Sequence, residues 1–185
     1  MSTFSSDTSF KLKALGIYQL VFAMPGLGLT LWLLLKEGIQ FRAITFVYVA
    51  VALLYVFGVY CGIMCFQTSR RCLQYSSINQ YLQLFSFSIG GYGFMYCAGF
   101  LLNLGFDLTG DFLVSFKVEL FSMWHIEFDS HSNVILVNLN IAALLVIFII
   151  DRLKKEMKQE IEAELLAIDG EVKPGSHQSN NSNLL

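Results

Sequence analysis

The sequence from Phe112 to Phe128, FLVSFKVELFSMWHIEF, lies between two long apolar runs and decides the fold prediction. Eight of its nine even-numbered positions are apolar, whereas the odd-numbered positions include Ser, Lys, Glu and His. This period of two is typical of a β-strand that buries one face. The stretch therefore predicts a strand in a chain that is otherwise strongly apolar.

The polar segment 129–133, Asp-Ser-His-Ser-Asn, follows this strand and is typical of a turn. A shorter alternation over 135–140 could be the returning strand of a β-hairpin. Residues 134–140 could instead belong to the next helix, and we favour that assignment. The apolar run that ends at Ile150 would otherwise keep only about ten residues, which is too short to cross a bilayer.

Four runs without Asp, Glu, Lys or Arg make up much of the remaining chain. They are Leu15–Leu35, Ala43–Phe66, Gln80–Leu104 and Val134–Ile150. A helix needs about 20 apolar residues to cross about 30 Å of hydrocarbon. With 55% hydrophobic and 14% charged residues, the chain is too apolar for an ordinary soluble domain. We therefore predict a membrane all-α fold, a four-transmembrane-helix bundle with a small extracytoplasmic β-hairpin between helices 3 and 4.

The domain organisation and orientation follow from these runs. We predict a cytoplasmic N-terminal leader (1–14), transmembrane helices 1–3 (15–104), the hairpin loop (105–133), transmembrane helix 4 (134–151), a cytoplasmic helix extension (152–169) and a disordered tail (170–185). In this scheme the inner segments hold nine Lys and Arg residues and the outer segments hold three. Because positive charge favours the cytoplasmic side, the protein is predicted to be a multi-pass protein of the cell membrane with both termini in the cytoplasm.

Small residues at helical spacing predict close packing between helices. Gly58 and Gly62 form such a motif in the second run. A second stripe in the third run consists of Ser86, Gly90, Gly93 and Cys97. The sequence leaves open whether the packing partner is the same chain or a neighbouring subunit. Pro25 lies inside the first run and predicts a helix kink, because proline removes one backbone hydrogen bond.

The best candidates for chemistry are His125, Glu127, Asp129 and His131, which would share one face of a strand. Neighbours two positions apart lie about 7 Å from each other, so two of them could share a divalent cation. A solvated polar face is the more common reason for such a pattern, and we predict no metal site. No nucleophile or phosphate-binding motif is present, so no catalytic residue and no cofactor is predicted. The net charge of −2 gives no indication of nucleic-acid binding.

Beyond Ile150 a narrow apolar stripe continues between charged residues. Its members are Leu153, Met157, Ile161 and Leu165. The stripe predicts a contact within a homo-oligomer or with a soluble cytoplasmic partner protein, although it could equally pack on the inner loops of its own chain.

The predicted main partner of the chain is the lipid bilayer. These features together predict a non-enzymatic integral membrane protein. It would act as an oligomeric scaffold, sensor or partner-recruiting subunit through its cytoplasmic C-terminal helix. The alternative is a channel or pore-forming membrane effector of the toxin or host-defence type. A pore would need uncharged polar residues to face inward, and the candidates are Gln83, Ser86, Ser88 and Asn103.

Overall fold

The computed structural model describes residues 5–37, 43–69, 71–109, 113–119, 122–128 and 135–171. Its helices are α1 (Ser6–Glu37), α2 (Ala43–Phe66), α3 (Cys72–Leu84) and α4 (Ile141–Glu171). Its strands are β1 (Phe85–Ile89), β2 (Tyr92–Cys97), β3 (Leu101–Asp107), β4 (Leu113–Glu119), β5 (Met123–Phe128) and β6 (Ile135–Asn140). The strands form one antiparallel sheet in the order β4-β3-β6-β1-β2-β5, so the fold is α+β.

The predicted four-transmembrane-helix bundle is therefore wrong, and the third apolar run shows why. Helix α3 ends at Leu84, and the chain continues directly as β1. From Phe85 to Ile89 large apolar residues alternate with serine, which is the strand period rather than the helix period. Gly90 and Gly91 then turn the chain with φ angles of 56° and 83°, a conformation that favours glycine.

The prediction of a fourth transmembrane helix from residue 134 is also wrong. Residues Ile135–Asn140 form β6, which lies between β1 and β3 and pairs with both. Helix α4 begins only at Ile141, so ten apolar residues precede Asp151. Ten residues of helix extend for about 15 Å, half the thickness of the hydrocarbon layer.

Asn140 joins β6 to α4 without a loop. Its side-chain Oδ1 accepts hydrogen bonds from the backbone N–H groups of Ala142 (3.1 Å) and Ala143 (3.4 Å). This is the geometry of a helix N-cap, which satisfies amide groups that the first turn leaves without partners. The same Oδ1 accepts from the backbone N–H of Leu102 at 3.2 Å, so the junction is also tied to β3.

The predicted hairpin is replaced by a different arrangement of the same residues. Both halves of the 112–128 stretch are strands, but β4 pairs with β3 and β5 pairs with β2. The two therefore lie at opposite edges of the sheet. The segment 129–133, predicted as a turn, lies outside the described residues.

The position of β4 and β5 requires the sheet to be curled. Glu119 ends β4 and Met123 begins β5, and four residue steps span at most about 14 Å. In a flat sheet of six strands the two edges would lie about 24 Å apart. The sheet must therefore bend until its edges approach each other at this end.

Two helices of the described residues are long and apolar enough to cross a membrane. They are Ser6–Lys36 and Ile44–Phe66, with mean hydropathies of 1.6 and 2.3. Only 22% and 33% of their most apolar windows are buried within the chain. A membrane location is compatible with this finding, whereas the predicted multi-pass bundle of four helices is not supported by it.

Candidate membrane surface and buried polar path

One face of the curled sheet, called the outer face here, is apolar on every strand. The register of the six strands places the same alternate residues on it throughout. Its described side chains are Phe85, Phe87, Ile89, Tyr92, Phe94, Tyr96, Leu102, Leu104, Phe106, Val114, Phe116, Val118, Trp124, Ile126, Ile135, Val137 and Leu139. A sheet with one continuous apolar face must bury that face against another element or another medium.

Helices α1 and α2 cover the part of the outer face that β2 and β5 form. Tyr96 is fully enclosed against Tyr55 of α2, with ring centroids 5.2 Å apart, and Trp124 packs edge-on against Tyr48 at 5.3 Å. The Tyr96 hydroxyl donates to the carbonyl of Leu54 at 3.1 Å. The Tyr55 hydroxyl donates to the Cys97 carbonyl at 3.2 Å, so the hydroxyls of both buried tyrosines have hydrogen-bond partners.

Much of the rest of the outer face is open, although Leu139 of β6 packs against Leu84, Ala143 and Ile147. Phe116 and Val114 of β4 are 63% and 57% exposed, and Phe87 of β1 is 42% exposed. Large apolar side chains are also exposed along α1, α2 and the first turns of α4, including Val21, Leu53 and Phe148. A monomeric soluble protein rarely exposes apolar patches of this extent. Such a surface is compatible with a surrounding of lipid or of further protein.

The opposite, inner face of the sheet carries mainly small and polar side chains. Ser86 of β1 lies across from Asn138 of β6, and Asn103 of β3 lies across from Asn140. Ser115 and Asn138 reach over Gly105 from the two neighbouring strands, and a Cβ atom at Gly105 would collide with both. The glycine therefore leaves room for a hydroxyl and an amide to converge on the inner face.

Helix α3 continues this polar surface into the helical part of the molecule. Gln83 donates from Nε2 to the Asn79 carbonyl (3.2 Å) and accepts at Oε1 from the Ala98 backbone N–H (2.9 Å). Ser76 donates to Oε1 of Gln19 at 3.3 Å and contacts the sulfur of Cys65 at 3.5 Å. All of these side chains are buried, in the middle of an apolar molecule.

Several of these buried polar atoms have no hydrogen-bond partner in the protein. Gln80 is fully buried, and neither Nε2 nor Oε1 is bonded. Asn79 Oδ1, Gln19 Nε2 and Asn103 Oδ1 are in the same situation. A buried polar atom without a partner costs about 1–3 kcal/mol, so these groups point to a polar guest such as water.

We call this row of side chains the buried polar path. It consists of the buried Gln19, Ser76, Asn79, Gln80, Gln83, Ser86 and Asn103 and the half-buried Asn138. At one end, Lys154 donates to the Ser77 hydroxyl (2.7 Å) and pairs with Asp151 (3.0 Å). At the other end, Lys117 pairs with Glu119 at 2.6 Å, next to Asn103 on the inner face.

An ion-pair cluster joins the start of α1 to α4. Lys11 pairs with Glu156 at 2.9 Å, and this ammonium, with a smaller contribution from Arg152, lowers the pKa of the Glu156 carboxyl. The Thr8 hydroxyl donates to Glu160 at 2.7 Å and, together with Ser5, lowers the pKa of that carboxyl. The cluster fixes one end of α1 beside the charged part of α4.

The predicted helix-packing residues lie in two different environments. Gly58 and Gly62 lie on α2 where α1 crosses it, and a Cβ atom on Gly62 would come within 2.8 Å of the Leu20 side chain. The second predicted stripe, Ser86, Gly90, Gly93 and Cys97, lies on β1, its turn and β2. The helical spacing on which that stripe rested is therefore not present. Pro25 lies within α1, and its kink stays a prediction.

The weak metal candidates are not brought together as a described site. His125 is exposed on β5. Glu127 also belongs to β5, whereas Asp129 and His131 lie outside the described residues. Within the part of the chain that the structure describes, no three His, Cys, Asp or Glu side chains are grouped so that they could hold a metal ion.

The predicted partner-contact stripe of α4 is divided between core and surface. Leu153 and Met157 are buried together with residues of α1, α2 and α3. Ile161 is half-buried, and Leu165 is 57% exposed. Only the distal part of the stripe is thus accessible to another molecule.

The buried polar path is the main feature that sequence reasoning missed. The sequence predicts Gln83, Ser86 and Asn103 as candidates to face inward, but it gives no such prediction for Asn79 and Gln80, because they lie at the boundary between a polar segment and an apolar run. The signal that could have found them is the spacing of Ser76, Asn79, Gln80 and Gln83 on one helical face. Comparison of the chain with models of protein families, with curated proteins and with solved structures found no match.

Proposed function

We propose that this protein is a non-enzymatic integral membrane protein in which α1 and α2 cross the bilayer as an antiparallel pair. The observation that carries the proposal is the inverted distribution of side chains: apolar groups are exposed on the helices and the outer face, while amides and hydroxyls are buried. Lipid is as apolar as a protein core, so exposure of these side chains to a bilayer carries no cost in solvation free energy. In water the same side chains would drive aggregation.

The orientation in this proposal has both termini in the cytoplasm. The contact between Lys11 and Glu156 brings the basic start of α1 to the basic segment of α4. Lys154, Lys155 and Lys158 belong to that segment, and positive charge of this kind favours the cytoplasmic side. The curled sheet then lies toward the outer side, next to the apolar parts of α1 and α2.

Within the membrane the protein acts as a subunit of an oligomer or as a recruiting subunit for a soluble partner. Two uncovered surfaces support this role. The first is the open outer face on β4, and the second is the distal part of α4, where Leu165 and Leu166 are exposed between acidic residues. Because Leu153 and Met157 already belong to the core, we assign the partner contact to the segment beyond Ile161.

The proposal is tested on membranes from cells that express the full chain. Washing at high pH should leave the protein in the membrane pellet, and its release into the supernatant would overturn the proposal. After extraction in mild detergent, native mass spectrometry should find more than one copy per complex. The variant Phe116→Lys should lower the copy number, whereas Lys117→Arg, its neighbour on the inner face, should not.

A channel is the second candidate function, and the buried polar path is the observation that favours it. Gln83, Ser86 and Asn103 lie within the molecule, away from its apolar surface. Flux measurements on liposomes that contain the purified protein distinguish this candidate from a scaffold, which would leave the bilayer impermeable.

A further inference from the structure

We propose that a groove between α1 and α4 binds one bilayer phospholipid that has an anionic head group. The lipid site rests on the proposed membrane location and adds a partner to it. Two hollows lie along this groove, and each is open to the surroundings on one side. The first, called the apolar hollow here, has a volume of about 290 Å³, and the second, the charged hollow, has a volume of about 320 Å³.

The apolar hollow lies where α1 and the first turns of α4 meet the sheet. Its lining includes Tyr18, Leu102, Val118, Ala142, Leu145 and Val146. The Tyr18 hydroxyl is hydrogen-bonded to the backbone of Phe100, and a Cβ atom at Gly99 would collide with it. The other described lining residues are apolar. The hollow therefore presents hydrocarbon surface, which an acyl chain can cover.

The charged hollow lies on the same face of α4, nearer to the basic segment of that helix. Lys11, Arg152 and Glu156 are among the residues that line it. Glu156 accepts from Lys11 Nζ at 2.9 Å and from Arg152 Nε at 3.1 Å, so one carboxyl holds both cations at the hollow. The Arg152 side chain is 83% exposed, and a guanidinium has further N–H donors beyond Nε. Arginine binds phosphate oxygens through such donors, so this hollow suits a lipid phosphate.

The charge around the charged hollow favours an anionic head group. Residues 7–13 and 151–158 contain six Lys and Arg residues against three Asp and Glu residues. Asp7 and Glu156 neutralise part of the positive charge at the hollow itself. Exposed residues such as Lys13 and Lys155 carry the excess. Each basic residue near a membrane surface adds to the attraction for anionic lipid.

The two hollows follow one another along both helices. Lys11 pairs with Glu156 at the charged hollow. Seven residues further along α1, Tyr18 lines the apolar hollow together with Val146, which lies ten residues earlier in α4. The two helices therefore run antiparallel on either side of the groove, with the charged hollow at one end and the apolar hollow at the other.

The spacing of the hollows matches one leaflet of a bilayer. From Arg152 to Ala142 the helix rises about 15 Å, which is half of the hydrocarbon thickness of about 30 Å. Leu145 and Ile149 lie one turn apart between the two ends, and each is 56% exposed. A lipid with its phosphate at Arg152 would lay an acyl chain over Ile149 and into the apolar hollow.

The experiment uses the full chain, purified in mild detergent, stripped of lipid and titrated with phosphatidylglycerol or with phosphatidylcholine of the same acyl chains. Native mass spectrometry counts the lipids bound per chain and gives their dissociation constants. One phosphatidylglycerol should bind more tightly than phosphatidylcholine, and equal affinities would overturn the proposal. Glycerol phosphate, a soluble head group, should not displace the lipid. Its displacement of the lipid at equal concentration would show a site for free phosphate and would also overturn the proposal.

A pair of charge variants locates the head group. Arg152→Gln should lower the affinity for phosphatidylglycerol about fivefold and leave that for phosphatidylcholine unchanged, because it removes one cation from the charged hollow. Lys158→Gln removes a charge of the same helix that pairs with Glu162 outside the hollow, and it should change either affinity by less than about twofold. Equal losses for the two variants would show attraction by overall charge rather than by a site.

A second pair of variants locates the acyl chain. Ala142→Phe fills the apolar hollow and should lower the affinity for both lipids about tenfold, because the chain loses apolar contacts there. Phe148→Leu changes an exposed side chain of α4 that does not line the hollow and should leave both affinities unchanged.

A titration of the wild type with phosphatidylglycerols of decreasing chain length asks the same question without any variant. The affinity should fall as the chains shorten. An affinity that does not depend on chain length would overturn the acyl-chain site. Release of the protein from the membrane at high pH would overturn the membrane location and the lipid site together. Retention in the membrane with equal affinities for the two lipids would overturn only the lipid site.

Discussion

Tyr96 and Phe116 lie on the same outer face of one sheet, yet Tyr96 is 1% exposed and Phe116 is 63% exposed. The difference arises because α1 and α2 cover the strands around β2 and leave β4 open. The side chains of the covered half pack against other parts of the chain, whereas those of the open half face its surroundings. The comparison shows that apolar residues on one face of this sheet have two different roles. Those in the covered half stabilise the fold, whereas those in the open half contact the surroundings of the protein.

The largest effect is expected when Tyr96 and Phe116 are each replaced by alanine and the two variants are compared. Tyr96→Ala removes an enclosed ring and should lower the free energy of unfolding in detergent by about 3–5 kcal/mol, the range for large aromatic side chains. Phe116→Ala should change it by less than about 0.5 kcal/mol, as for an exposed position. Denaturant titration followed by tryptophan fluorescence measures both. Equal losses for the two variants would show that β4 is covered within the monomer.

A second prediction concerns the packing of α1 against α2, the two helices that cover this part of the sheet. Gly62→Leu places a side chain where α1 crosses α2, and the free energy of unfolding should fall by about 1–3 kcal/mol through overpacking. Gly28→Ala is the control, because a Cβ atom at this position would lie more than 4 Å from any atom outside its own stretch of helix. It should be neutral or stabilising by up to about 1 kcal/mol. A stable Gly62→Leu protein would mean that the helix pair can separate without loss.

A smaller effect is expected from the hydroxyl groups of the covered half. Tyr55→Phe leaves the ring in place but removes the hydrogen bond to the Cys97 carbonyl, so stability should fall by about 1 kcal/mol. Tyr60→Phe changes an exposed tyrosine of the same helix and should fall within about 0.5 kcal/mol of the wild type. Thermal unfolding of the two variants side by side gives the difference.

The smallest effect concerns pH and lies outside the sheet. Because the pKa values of Glu156 and Glu160 are lowered in the folded protein, their contribution to stability is present above the unfolded value of about 4.3. It is lost as the pH falls through the lowered folded values. The unfolding temperature of the wild type should therefore decline more steeply below about pH 4 than that of the double variant E156Q/E160Q. Parallel declines would show that the carboxylates do not stabilise the contact between α1 and α4.

The parts of the fold that depend on local sequence could be predicted, and those that depend on distant pairing could not. The long charge-free runs identify α1 and α2 as candidate membrane helices, and the alternation around Phe116 and Ile126 identifies β4 and β5 as strands. The partner of each strand is not a local property, since β1 pairs with β6 some 50 residues later in the chain. The period of two at Phe85–Ile89 was readable, but the absence of charge over a whole apolar run favoured a helix.

The candidate site shows the same limit. The sequence indicated which uncharged polar residues could face inward, among them Gln83 and Asn103. It could not indicate that α3 leads into β1 without a turn, or that Gln80 is fully buried. Whether a polar residue within an apolar run faces lipid, a neighbouring helix or an internal path is decided by tertiary packing.

The loop-free junction at Asn140 has a mechanical consequence. The Asn140 amide belongs to both the helix cap and the end of β6, so a rotation of α4 about its first residue would pull on a central strand of the sheet. Leu165 lies more than 30 Å along α4 from this junction, because α4 rises about 1.5 Å per residue over the 25 residues between them. In the proposed orientation, a partner bound near Leu165 would therefore act on β6 through the whole length of α4.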